Sequence, residues 1–172
     1  MSRERLPGAA YNPPAWAIFF AAQLGASAAL TGLLFVSLSI NLGQIISSQH
    51  LTPRAGKALL TLTGVLFASS LCLVPGQSLR VLGWELACLG VLLFVPLTVL
   101  QQGSSRGNPY VTQLEKALHW FLTGMSAAPV VICGLSLLEL RGGGLLWLLA
   151  ATLFSFTSAL FDAWVLLIEI KR

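Results

Sequence analysis

Asp162 puts a carboxylate inside a long apolar run near the C-terminal end of the chain. A charge at that depth in a membrane is costly. Where one occurs it faces a bundle interior or a water-filled cavity. Ala151, Ser155, Ser158, Asp162 and Glu169 follow helical spacing, so small and polar groups share one stripe. Two chemistries fit: a carboxylate lining an ion or proton path, or a hydrogen-bonded Asp that fastens one helix to another. Glu169, beside Lys171 and Arg172, reads as an interfacial residue.

Asn41, near the end of the first apolar run, is expected at a similar depth to Asp162, with Thr61 and Thr63 of the second run nearby. Asn41, Thr61, Ser155, Ser158 and Asp162 therefore form the candidate polar intramembrane cluster. Its alternative is ordinary buried polar contact between helices. A second candidate cluster lies toward the other face: Gln23, Glu85, Arg80 and Arg141. There Gln23 is placed to hydrogen-bond Glu85, and the two arginines to snorkel toward it. This cluster reads as a cation vestibule or as a structural Glu–Gln or Glu–Arg contact. Gly25, Gly32 and Ser39 recur every seven residues, and small residues so spaced let helices pack closely.

Other chemistry finds no pattern. His50 and His119 make no metal-ligand spacing with one another or with a carboxylate. Cys72, Cys88 and Cys133 are single thiols in separate apolar runs, without C-x-x-C, and read as small hydrophobes. The chain has no G-x-S-x-G and no G-x-x-x-x-G-K. No metal, no cofactor and no enzymatic activity are expected.

The elements that must position these groups are membrane helices. Of 172 residues 56% are hydrophobic and only 9% charged, and the mean hydropathy is +0.82. A soluble domain of this length needs a charged surface that this composition cannot supply. A hydrocarbon core about 30 Å thick takes about 20 apolar residues per helix, and helices satisfy their own backbone groups there. Five runs qualify, at 16–46, 56–74, 79–100, 117–140 and 145–170. The fold class expected is all-α, a polytopic transmembrane bundle of about five spans forming a single domain over 1–172. The first run exceeds a perpendicular span and is expected to tilt or to project. Asn12-Pro13-Pro14, His50 to Pro53, Val74-Pro75-Gly76, the polar stretch from Gln101 to Pro109, and Arg141-Gly142-Gly143-Gly144 separate the runs. Trp16, Trp84, Trp120, Trp147 and Trp164 lie mostly near run ends, as interfacial anchors do.

Arg3 and Arg5 ahead of an apolar stretch, with Ala26-Ser27-Ala28, resemble a signal peptide, but cutting there would split a continuous run, so no cleavage is expected. Lys and Arg set orientation. Arg54, Lys57, Arg106, Lys116, Lys171 and Arg172 fall on one side, against Arg3, Arg5, Arg80 and Arg141 on the other. The excess favours the N-terminus out and the C-terminus in. A net charge of +4 and a pI near 9.4 suit contact with anionic lipid. No basic cluster capable of reading nucleic acid is present.

The segments Leu30-Thr-Gly-Leu-Leu-Phe-Val-Ser-Leu-Ser-Ile-Asn41 and Asp162-Ala-Trp-Val-Leu-Leu-Ile-Glu169 resemble the opening and closing helices of a family of short, uncharacterised bacterial multi-spanning inner-membrane proteins. The likeness runs over nearly the whole chain, including Val74-Pro-Gly-Gln-Ser78. Members often carry Asn where Asp162 stands, so the resemblance does not itself imply a proton-carrying carboxylate. It implies a bacterial inner-membrane setting, and some labels for the family tie it to modulation of a membrane protease. Two functions stay open: an oligomeric channel-like or transport-related protein, and a regulatory or assembly subunit docking on a larger membrane complex. Lipid and either further copies of the chain or a membrane-protein partner are the expected associates.

Overall fold

The computed structural model describes residues 5–47, 51–106 and 113–170. Among the described residues there are seven α-helices, one 3-10 turn and no strand. They are α1 (Arg5–Ala10), the 3-10 turn Pro13–Trp16, α2 (Ala17–Ile40), α3 (Leu42–Ser47), α4 (Leu51–Cys72), α5 (Leu79–Arg106), α6 (Gln113–Glu139) and α7 (Leu146–Ile170). Five segments are long and apolar enough to cross a membrane: Pro13–Ile40, Leu51–Cys72, Leu79–Gly103, Ala117–Glu139 and Leu146–Ile168.

The expected over-long first span resolves into a break. Helix α2 stops at Asn41, whose side-chain amide donates back to the Ser37 carbonyl at 2.9 Å, and α3 restarts beyond it. The second span begins at Leu51, five residues before the expected start at Gly56. The polar stretch after Leu100 is not loop as far as Arg106, because α5 continues through it.

Helices α4, α5, α6 and α7 form the packed body, with α5 against α6 the most extensive contact and α2 laid mainly against α4. Close approach is made by glycines other than those expected. A Cβ added at Gly134 would sit 2.5 Å from the Ala87 nitrogen, and one at Gly90 would sit 2.6 Å from Val131. Gly25 and Gly32 have nothing within 4 Å of such a Cβ, and Ser39 is exposed with its hydroxyl donated to the Phe35 carbonyl. The seven-residue seam of α2 therefore turns away from the bundle. Its position explains why: α2 is peripheral, and its buried face is Phe20, Ser27, Leu34 and Leu38.

The α6–α7 connection needs glycine. Gly142, Gly143 and Gly144 have φ of 89°, 107° and 50°, in the left-handed region closed to most side chains. The N-terminal segment pins this turn. The Tyr11 hydroxyl accepts from the Gly143 amide at 3.1 Å, the Ala10 carbonyl from the Leu145 amide at 2.9 Å, and the Ser136 hydroxyl from the Gly144 amide at 2.8 Å.

Candidate functional site

Helical spacing gathers the polar groups at one end of the bundle. On α4, Arg54, Lys57 and Thr61 stand three and four residues apart, so one face carries all three. On α7 the same logic aligns Ser155, Ser158 and Asp162, and on α6 it aligns His119, Thr123 and Ser126. All nine of these except Arg54 are buried, as is Gln101 on α5. The faces of the four helices meet with their polar groups turned to one another.

Asp162 is the centre. Its side chain is 1% exposed, and Lys57, 2% exposed, brings its ammonium to 2.9 Å from Oδ2. Arg54 Nε lies 3.5 Å from Oδ1, and His119 Nδ1 lies 4.0 Å from the same oxygen. Lys57 also donates to Gln101 Oε1 at 2.8 Å, and that oxygen takes a further donation from the Thr123 hydroxyl at 3.3 Å. His119 Nε2 is 3.3 Å from an Arg54 terminal nitrogen, and the Phe161 ring stands edge-on to the imidazole with centroids 5.4 Å apart. A carboxylate removed from water is thus matched by cations at ion-pair distance, with neither oxygen in a well-aligned hydrogen bond. That matching is the condition under which burying a charge is tolerated.

The expected grouping of Asn41, Thr61 and Asp162 takes a different form. Asn41 bonds Ser37 within its own helix, and the Thr61 hydroxyl donates to the Lys57 carbonyl at 2.8 Å. Thr61 and Ser155 do face each other across a void of only about 10 Å³, shared with Ser126 and Thr152. The partners of Asp162 are Lys57, Arg54 and His119, residues that read in the sequence as loop cations and a metal-free histidine. The signal for them was their i, i+3, i+7 placement in phase with buried Ala58, Leu62 and Val65. Gln101, read as loop, is a buried member of α5.

The outer candidate cluster is also rearranged. Glu85 accepts a short hydrogen bond from the Gln77 side-chain amide, not from Gln23, whose Oε1 is buried without a hydrogen-bond partner. Among the described residues no ion pair joins Glu85 to Arg80 or Arg141, both of which are exposed. The reason is reach. The Val74-Pro75-Gly76 turn folds Gln77 back over the start of α5, while the arginines leave the bundle at its rim. Beside this turn is a cavity of about 530 Å³, lined by Tyr11, Pro13, Cys72, Val74 and Gln77 among others.

Arg54 and Lys57 change the orientation argument too. They are helical and turned into the protein, so without them the basic residues assigned to the two sides are four and four: Arg106, Lys116, Lys171 and Arg172 against Arg3, Arg5, Arg80 and Arg141. Lys171, Arg172 and Arg3 lie outside the described residues, as does His50, and nothing is described of the Glu169 side chain. Among the described residues no three of His, Cys, Asp and Glu gather as a metal site would require.

Comparison of the chain with family models, with curated proteins and with solved structures gives no match in any of the three.

Proposed function

We propose that this chain is a small transport-related membrane protein that works as an oligomer, with the Asp162 cluster as the place where a charge is handled. One observation carries the reading. Arg54, Lys57, His119 and Asp162 converge from three helices at one end of an otherwise apolar bundle. Packing alone does not call for such a set, since well-fitted apolar residues hold helices as firmly at lower desolvation cost. Ionisable groups inside a membrane typically mark ion pathways and proton relays. None of the described cavities is lined by Asp162. Association of subunits or a shift of helices completes the path.

The setting proposed is the bacterial inner membrane, which the likeness of residues 30–41 and 162–169 implies. The proposed orientation keeps the N-terminus out. Insertion precedes packing, and at that stage Arg54 and Lys57 still count with the first connection.

The second reading, a subunit docked on a larger membrane complex such as a membrane protease, is favoured by α2. Its Gly25 and Gly32 face is open, and Ile18, Leu33, Phe35 and Ile40 are more than half exposed. Purified protein in liposomes separates the two. Ion flux that falls about tenfold or more in Asp162→Asn supports transport. No flux of any ion, with stoichiometric co-purification of another membrane protein, overturns it in favour of docking.

A further inference from the structure

We infer that the charge handled at this cluster is the proton, and that His119 delivers it to Asp162. The inference rests on the transport reading above and narrows it to one substrate.

Hydrogen-bond chemistry assigns the imidazole. A guanidinium has donors and no acceptor. The 3.3 Å contact between Arg54 and His119 Nε2 therefore requires a lone pair on Nε2. A neutral ring with a bare Nε2 carries its single hydrogen on Nδ1, the atom that faces Asp162 Oδ1. Arg54 thus holds the ring in one tautomer, with its proton aimed at the carboxylate. The groups around the ring are Arg54 and Lys57 from α4, and Asp162 with the Phe161 ring from α7.

The carboxylate is already engaged. Asp162 Oδ2 is occupied by the Lys57 ammonium, which is itself held by Gln101. A metal cation would have to displace that ammonium, whereas a proton passed along the His119 ring reaches Oδ1 without displacing it.

The transfer balances as follows. A hydronium ion arriving on the Arg54 side gives its proton to the Nε2 lone pair and leaves as water. The ring, now an imidazolium, presents N–H to a guanidinium of the same sign, and the Arg54 contact is lost. Nδ1 and Oδ1 are 4.0 Å apart, about 1 Å beyond a hydrogen bond. The released ring closes that gap. The Nδ1–H bond then breaks, its electron pair stays on nitrogen, and an O–H bond forms on Asp162. The ring is left neutral with its hydrogen on Nε2. Asp162, now uncharged, no longer binds the Lys57 ammonium as a counter-ion. The arrangement resets when the carboxyl gives its proton to a water molecule, which leaves as hydronium, and the neutral ring gives its Nε2 hydrogen to water as Nδ1 takes one from water.

Two measurements test this. The chain has two histidines, so His50→Asn leaves His119 as the sole ring for nitrogen-15 solid-state magnetic resonance in lipid. At neutral pH a protonated Nδ1 and a bare Nε2 are expected, and a ring protonated on Nε2 alone overturns the proposal. In proteoliposomes holding a pH-sensitive dye, an imposed potential is expected to drive proton flux, reduced about tenfold or more by His119→Gln. If that variant does not fold, the resonance measurement on the unaltered ring decides. A sodium, potassium or chloride flux that depends on Asp162, without proton flux, overturns the proton assignment and leaves the transport reading standing. Absence of every flux overturns both.

Discussion

Lys57 on α4 and Asp162 on α7 meet at 2.9 Å in the protein interior, each almost fully withdrawn from the surface. The pair costs solvation on both sides and recovers it only while both members are present. Gln101 and Thr123 extend it into α5 and α6, so all four packed helices share one polar knot.

Removing one member should therefore hurt more than removing both. Lys57→Met leaves a buried carboxylate short of its nearest cation and is expected to cost about 3–5 kcal/mol. Lys57→Met combined with Asp162→Leu should recover most of that loss. Reversible unfolding in mixed micelles measures the cycle. A loss in the double variant equal to the sum of the Lys57→Met and Asp162→Leu losses would show that the pair is not coupled.

Gly134→Ala is expected to destabilise by about 1–3 kcal/mol, because the new methyl meets α5 backbone that cannot step aside. The gain in helix propensity, about 1 kcal/mol, does not offset it. Gly25→Ala, with nothing within 4 Å, should leave the thermal midpoint unchanged or slightly raised. A midpoint that falls for Gly25→Ala in a single copy would contradict the open placement of that face.

Tyr11→Phe deletes the acceptor for the Gly143 amide and should cost about 1 kcal/mol. Faster amide hydrogen exchange at Gly143 and Gly144, with α4 unaffected, is the expected signature. Unchanged exchange at Gly143 would mean that the N-terminal segment does not pin the turn.

Orientation is checked by labelling. In a background lacking Cys72, Cys88 and Cys133, Ser105→Cys should react only with reagent inside the cell and Arg141→Cys only with reagent outside. Labelling of position 105 from outside alone reverses the proposed topology, and with it the side from which protons reach His119.

The five long apolar helices were legible because a bilayer demands a minimum length of apolar helix, and each run met it. Their polar ends were not. Hydropathy weighs residues singly, so Arg54 and Gln101 were trimmed from their helices and Lys57, at the edge of its run, was counted with the loop cations. Nothing local shows that a cation near a helix start will be neutralised by Asp162, far along the chain. Asp162 itself stood out because no neighbour in sequence could excuse it. The seam at Gly25 and Gly32 was legible as a face but not in its direction. Spacing shows which residues share a face, but not which face turns inward, and α2 has a partner on one side only.

The distance in sequence between Lys57 and Asp162 also bears on how the protein is made. Helix α4 leaves the ribosome long before α7, so the nascent chain must carry the Lys57 ammonium into the translocon without its carboxylate. Until α7 is threaded, the lysine's partner does not exist and the Lys57 end of α4 is best kept at the water boundary. Synthesis of α7 is thus the event that lets α4 settle to full depth. A transcript cut short before codon 162 should yield a product that membrane quality control removes.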